Sequence, residues 1–233
     1  MSLPEDFDIN SIDFNALYEG GQLLEGIDLP SIPWDIGAEQ PVVVEAERAG
    51  RFRGAVLDVG CGLGDNSIYL ASQGHQVTGI DVAASAVEQA RQRAAERGVD
   101  VEFAVADATR LDGFDGRFDS VLDAACYHCL GEDARHEYAA ALHRATRPDA
   151  LLNLFCFPSG GSGLAAAMGV SEENLRTTWG KAGWDITDLR QDRYHANAAV
   201  GDLVSAFGLD TEPVPGDPSR FQTPIWALQA RRA

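Results

Sequence analysis

Short, nearly continuous apolar runs alternate along this chain with longer stretches whose apolar positions recur at helical spacing. The runs at 55–58, 76–80, 101–105, 120–122 and 150–157 predict strands. The stretches at 40–49, 66–72, 83–97, 133–145 and 171–181 predict helices, several with terminal signals. Pro41 sits in the first turn of the helix at 40–49, where its missing N–H costs nothing. Gly74 and Gly98 stop two others, and Ser171 is placed to cap the last. Arg147-Pro148-Asp149 reads as a turn. Strands at 184–189 and 223–229 complete the pattern, separated by a proline-bearing stretch that reads as loop. Strand–helix alternation predicts a doubly wound α/β fold, with a mostly parallel, seven-stranded sheet covered on both faces. The run at 150–157, apolar almost throughout, fits a central strand.

Before the first strand, residues 1–37 are acidic and broken by Gly and Pro, with scattered aromatics (Phe7, Phe14, Tyr18, Trp34). They read as an arm covering the active site, leaving 38–233 as a single domain, a suitable size for 233 residues. Thirty-six acidic against 18 basic side chains give a formal net charge of −18. Such a surface repels phosphate backbones and anionic membranes, which argues against nucleic acid and membrane partners. No run approaches the roughly 18 apolar residues of a membrane span, and the acidic N-terminus lacks the apolar core of a secretion signal. Cys61, Cys126, Cys129 and Cys156 then read as reduced thiols of a cytoplasmic protein. Cys126 and Cys129 form a C-x-x-C, but no second pair completes a zinc set, so no metal is expected.

The strand ends carry the chemistry. In a parallel sheet, ligands bind beyond the carboxyl ends of the strands, where the strand order reverses. The first strand ends in Asp58-Val59-Gly60-Cys61-Gly62-Leu63-Gly64, the second in Asp81-Val82, the third near Asp107-Ala108 and the fourth at Asp123. Glycines let backbone pass close beneath a ligand. Asp81, about twenty residues beyond the loop, is placed to bind a ribose diol, and Asp107 an adenine amino group. The rival ligand is a nicotinamide dinucleotide. Against it, the glycines are spaced G-x-G-x-G rather than G-x-G-x-x-G, and Asp58 and Asp65 flank the loop. Carboxylates repel a pyrophosphate but attract the sulfonium and ammonium of S-adenosylmethionine (SAM).

In this order, Val56–Gly64, Gly79-Ile80-Asp81, Ala106-Asp107-Ala108 and Phe118–Asp123 resemble the successive motifs of class I SAM-dependent methyltransferases. Ile32-Pro33-Trp34-Asp35-Ile36-Gly37 is similar to the thiopurine and tellurite-resistance type and to actinobacterial enzymes that methylate heterocyclic compounds. The resemblance implies SAM as cofactor and a small-molecule methyl acceptor, aromatic or heterocyclic. It sets Gly60 and Gly62 against the methionine part, Asp81 on the ribose, Asp107 and Ala108 at adenine, the Asp123 backbone near the amino-acid end and Trp34 over the cofactor, with Asp58, Gly64 and Val82 also in the cofactor site. A non-aromatic acceptor, or a SAM-binding regulator without turnover, fits the same motifs.

Methyl transfer requires an aligned acceptor with a free lone pair, in a site that excludes water. The loop after the fourth strand, 124–130, offers Tyr127 and His128. His128 is the expected general base, its ordinary pKa being near neutrality; a packing role is the alternative. Tyr127 is expected to line the acceptor pocket or to act as a catalytic group beside His128. Glycine-rich 158–163 reads either as the hinge of a lid or as a plain turn, and Tyr194, His195, Phe207 and Phe221, in the stretch between the last two strands, are expected to roof a flat ligand or else to pack on the core. The motifs leave the oligomeric state undetermined.

Overall fold

The computed structural model describes residues 12–20, 30–160, 167–201 and 210–233. Its sheet contains the strands β1 (Ala55–Val59), β2 (Gln76–Asp81), β3 (Glu102–Val105), β4 (Phe118–Ala124), β5 (Thr146–Cys156), β6 (Trp184–Asn197), β7 (Glu212–Val214) and β8 (Asp217–Arg232). Their order is β3-β2-β1-β4-β5-β8-β6, with β7 pairing β8 outside that path. The neighbours among β1–β5 run parallel, and β8 returns antiparallel between β5 and β6. Seven strands thus form the expected path, and the short β7 adds an eighth. The order reverses between β1 and β4, which opens a crevice at their carboxyl ends.

The helices are α1 (Phe14–Tyr18), α2 (Pro41–Arg48), α3 (Asp65–Ser72), α4 (Ala84–Arg97), α5 (Glu132–Ala145) and α6 (Glu172–Lys181). On one face of the sheet, Tyr138 and Leu142 of α5 and Trp179 of α6 pack on Val121, Leu152 and Leu228. On the other, Val42, Val43 and Ala46 of α2 join Val56, Leu122 and Phe155. A side chain of this size contributes about 1.5–3 kcal/mol when buried, so apolar residues on both faces favour the parallel arrangement. Ser171 caps α6 by accepting from the Asn174 N–H, and Gly98 ends α4 in the left-handed region (φ 66°).

Two sequence expectations change. Arg147-Pro148-Asp149 lies within β5, as a bulge: Phe118 pairs Thr146 and Ser120 pairs Leu151, so the extra residues leave the ladder, with Asp149 at φ 66°. Within the expected loop between 189 and 223, residues 190–197, 212–214 and 217–222 are strand. β6 runs on to Asn197 and pairs β8 from Trp184 opposite Arg232 to Asn197 opposite Arg220. Tyr194 and His195 are therefore strand residues, and Phe221 lies in β8, packed on Ala196 and Val200. The polar run Arg190-Gln191-Asp192-Arg193 hid this strand, because an edge strand with exposed positions lacks the apolar signal of a central one. Phe7, Phe207 and the part of 158–163 beyond Gly160 lie outside the described residues.

Candidate cofactor and acceptor site

Three acidic side chains meet at the carboxyl ends of β1, β2 and β4. Asp58, Asp81 and Asp123 are each more than nine-tenths buried. Asp58 accepts a 2.5 Å hydrogen bond from Ser67 Oγ on α3. Burial, reinforced by the charges of Asp123 and Asp81, pushes its carboxyl up to about 7. Asp81 accepts from the Gly62 and Ala83 N–H groups, both at 2.9 Å, and burial raises its carboxyl as well. This grouping suits a cation: a positive ligand would offset the cost of burying the carboxylates.

Gly62 and Gly60 hold left-handed conformations (φ 53° and 68°) at places with no room for a Cβ. A Cβ on Gly62 would stand 2.8 Å from Tyr18 Oη, and one on Gly60 would stand 2.8 Å from the Cys126 Cβ. Gly64 (φ 83°) starts α3 and fits closely against Phe103 and Ala90. The cradle therefore depends on glycine for both conformation and space. Asp65 does not face it as a bare charge. Arg93 pairs with Asp65 at 2.5 Å and Arg97 at 2.6 Å, while Arg93 also binds Asp35 at 2.8 Å. Of the two flanking carboxylates, Asp58 is the one left to meet a ligand's charge.

Trp34 and Tyr18 meet above the loop. Trp34 Nε1 donates to Tyr18 Oη at 2.9 Å, and their rings pack edge-on at 6.2 Å. Tyr18 sits in an arm with little periodicity, and only the tertiary structure places it over Gly62. The far ends of β6 and β8 hold the Trp34 segment. The Asn197 N–H donates to the Pro33 carbonyl (2.8 Å), and Arg220 Nη2 to that of Ile36 (3.3 Å). Buried Gln40 exchanges two hydrogen bonds with the His195 backbone. The extension of these strands thus fixes the Trp34 segment.

Val82 stands beside Asp81, an apolar side chain 66% exposed. Asp107 Oδ1 accepts from the Thr109 N–H and hydroxyl, which shapes the turn after β3. Ala108 packs against the core edge nearby.

The loop after β4 departs from expectation. Asp123 accepts from the Cys126 and Tyr127 N–H groups and from Tyr138 Oη (2.6 Å), so its carboxylate shapes the loop. Burial pushes it up to about 6. Tyr127 is fully buried against Tyr138 and Trp179, and its hydroxyl donates to Asn174 Oδ1 at 2.9 Å. It is a core residue rather than a pocket wall. His128 is buried and stacked on Phe157 (centroids 4.1 Å apart, 16° between planes). Its Nδ1 accepts from the Phe157 N–H at 3.2 Å, which leaves the proton of the neutral ring on Nε2. Burial, aided by the charge of Arg135, pushes it down to about 3. A ring so placed is a hydrogen-bond donor, with no base strength near neutrality. Tyr194 is also core, with its hydroxyl 3.5 Å from the Ala124 carbonyl. Among the described residues no helix is long and apolar enough to cross a membrane.

The chain matches known proteins along the same motifs. A model of the methyltransferase domain matches residues 56–149. A 2-heptyl-1-hydroxyquinolin-4(1H)-one methyltransferase from Mycobacteroides abscessus is 35% identical over 168 residues, 71% of this chain and 74% of that one. A solved structure described by the conversion of a disulfide bond into a thioacetal group during echinomycin biosynthesis is 32% identical, with a TM-score of 0.77, over 94% of this chain and 90% of that one. The Burkholderia thailandensis 1,6-didemethyltoxoflavin-N1-methyltransferase, solved with its acceptor and S-adenosylhomocysteine, is 24% identical with a TM-score of 0.60, over 83% of this chain and 77% of that one. With buried acids that suit a cation and a glycine cradle without room for a Cβ, this chain belongs to the SAM-dependent methyltransferases.

Proposed function

We propose that this enzyme methylates a small, flat heteroaromatic acceptor at an oxygen, nitrogen or sulfur atom that is already nucleophilic at neutral pH. SAM supplies an electrophilic methyl group: the acceptor's lone pair forms the new bond to carbon while the carbon–sulfur pair returns to sulfur. The protein's part is to bind, align and exclude water. In this reading Gly60, Gly62 and Gly64 cradle the methionyl end, with Asp58 and the Asp123 backbone close to its ammonium. Asp81 binds the ribose diol, Val82 lies against the adenine, and Asp107 and Ala108 border it. Tyr18 and Trp34, from the arm before the domain at 38–233, close over the cofactor.

The observation that carries the acceptor class is the state of His128. Its Nδ1 is engaged by a backbone N–H and burial holds it at about 3, so this ring takes no proton from an acceptor at neutral pH. An acidic N-hydroxyl, phenol or thiol, or a ring nitrogen, needs no such help. The Mycobacteroides relative is named for a hydroxyquinolone and the Burkholderia relative for a nitrogen heterocycle, which supports this class. The test is release of S-adenosylhomocysteine (SAH) across a panel of acceptors at pH 7.5. Turnover is expected with 2-heptyl-1-hydroxyquinolin-4(1H)-one and with heteroaromatic thiols, and none with aliphatic alcohols. Efficient methylation of an aliphatic alcohol would overturn the proposal.

A further inference from the structure

Arg135, in the first turns of α5, is about nine-tenths buried in a chain of net charge −18, yet no carboxylate among the described residues pairs with it. Of its guanidinium nitrogens, only Nη2 finds a hydrogen-bond acceptor there, the Met168 carbonyl at a long 3.4 Å. Nε is buried with no partner. The guanidinium lies 5.3 Å from the centre of the Tyr127 ring, which offers a π face but no charge. A buried, unpaired cation is costly. The arginines beside Asp65 at the glycine loop are matched: Arg93 by Asp35 and Asp65, Arg97 by Asp65.

The location gives this exception its meaning. Tyr127 belongs to the loop that leaves β4, and Met168 to the segment that follows β5. Arg135 joins these two, the loops among which a methyl acceptor must lie. His128, adjacent to Tyr127, feels its charge. A guanidinium held there with open donors suits a planar oxyanion or thiolate, which it can meet with two parallel N–H bonds.

We infer that Arg135 is the acceptor-recognition residue of this enzyme, selecting acceptors in their anionic form and lowering the pKa of the acceptor's O–H or S–H. The inference rests on the acceptor reading above and goes further: the proton leaves to water as the acceptor binds, and the anion, paired with Arg135, is the nucleophile. A cation in place of a base accounts for a site whose histidine cannot take the proton.

The experiment uses the protein saturated with SAH and 1-hydroxyquinolin-4(1H)-one as probe, its ionisation followed by ultraviolet absorbance as pH is varied. Wild type is expected to bind the anion, with the probe's pKa at least one unit below its value in water. Arg135→Lys retains most of that shift. Arg135→Gln abolishes it and lowers kcat/KM at least tenfold below the probe's pKa, with recovery as pH rises. A wild-type complex that holds the neutral probe, or no shift on binding, overturns the inference without recourse to a variant. So does a loss in Arg135→Gln that is equal at every pH and for the neutral quinolin-4(1H)-one, since that marks a packing role. Calorimetry with heptanoate separates the two claims. Arg135-dependent heptanoate binding with no binding of either quinolone supports the anion site but overturns the flat acceptor. Turnover of flat acceptors indifferent to Arg135 does the reverse. Absence of Arg135-dependent binding of any anion overturns the inference.

Discussion

Replacing Asp58 by Asn should make the free enzyme more stable and a poorer binder of SAM. Burial raises the Asp58 carboxyl from 3.8 to about 7. At about 1.36 kcal/mol per pKa unit, holding the ionised form in the fold costs about 4 kcal/mol at pH 8. Asparagine removes the charge and can still accept from Ser67 Oγ. Its amide N–H₂ finds no carboxylate's welcome in so enclosed a place, and that costs about 1–3 kcal/mol. The net gain is about 1–3 kcal/mol, or about 2–10 °C in Tm for a chain of this size. The sign with pH follows from linkage. The folded state holds this proton more tightly than the unfolded chain, so wild type gains stability as pH falls through 7 toward 4, and the variant lacks that gain. Its advantage should therefore shrink by about 1 kcal/mol between pH 8 and pH 6. Over the same range SAM binding to wild type should weaken as Asp58 takes up its proton. Thermal denaturation of the ligand-free proteins, with calorimetry at pH 8 showing at least tenfold weaker SAM binding by the variant, tests this reasoning. A lower Tm at pH 8, a pH-independent difference, or unchanged SAM affinity refutes it.

Asp81→Ala removes the acceptor for the Gly62 and Ala83 N–H groups together with the proposed ribose contacts, each worth about 1.5–3 kcal/mol where charge assists; isothermal titration should show SAM affinity down by more than tenfold. Gly62→Ala places a Cβ against Tyr18 Oη at φ 53°, a strain of about 1–2 kcal/mol. Displacement of Tyr18 should alter the fluorescence of Trp34 and weaken SAM binding, and an unaltered spectrum with unaltered affinity would remove Tyr18 from the cover. His128→Asn should lower kcat without changing the shape of the pH–rate profile at saturating SAM, because the native ring holds its proton on Nε2 and does not titrate near 6.5. A wild-type limb near that pH that vanishes in the variant would restore the general-base role.

The sequence by itself determined the elements whose signals are local. Apolar runs ending in Asp58, Asp81 and Asp123 specified parallel strands and put the acids at one end of the sheet, since direction and strand length follow from burial on both faces. The glycine spacing specified a backbone that approaches a ligand, because φ above zero and absence of a Cβ belong to the residue itself. The Ser171 cap and the Gly98 stop were equally legible. Tertiary structure decided whatever depends on partners distant in the chain. Asp65 looked like a ligand charge until Arg93 and Arg97, a helix away, neutralised it. The Asp123 carboxylate serves its own loop, because Tyr138 and the Cys126 amide, both distant from its oxygens in the extended chain, bind it there. β6 continued through a polar run because β8 offered it a ladder, and only that pairing brings Asn197 and Arg220 to the Trp34 segment. His128 carried the strongest chemical signal in its loop. Its environment reversed that signal, since a side chain's pKa is set by burial and neighbouring charge, and neither is written in its own position along the chain.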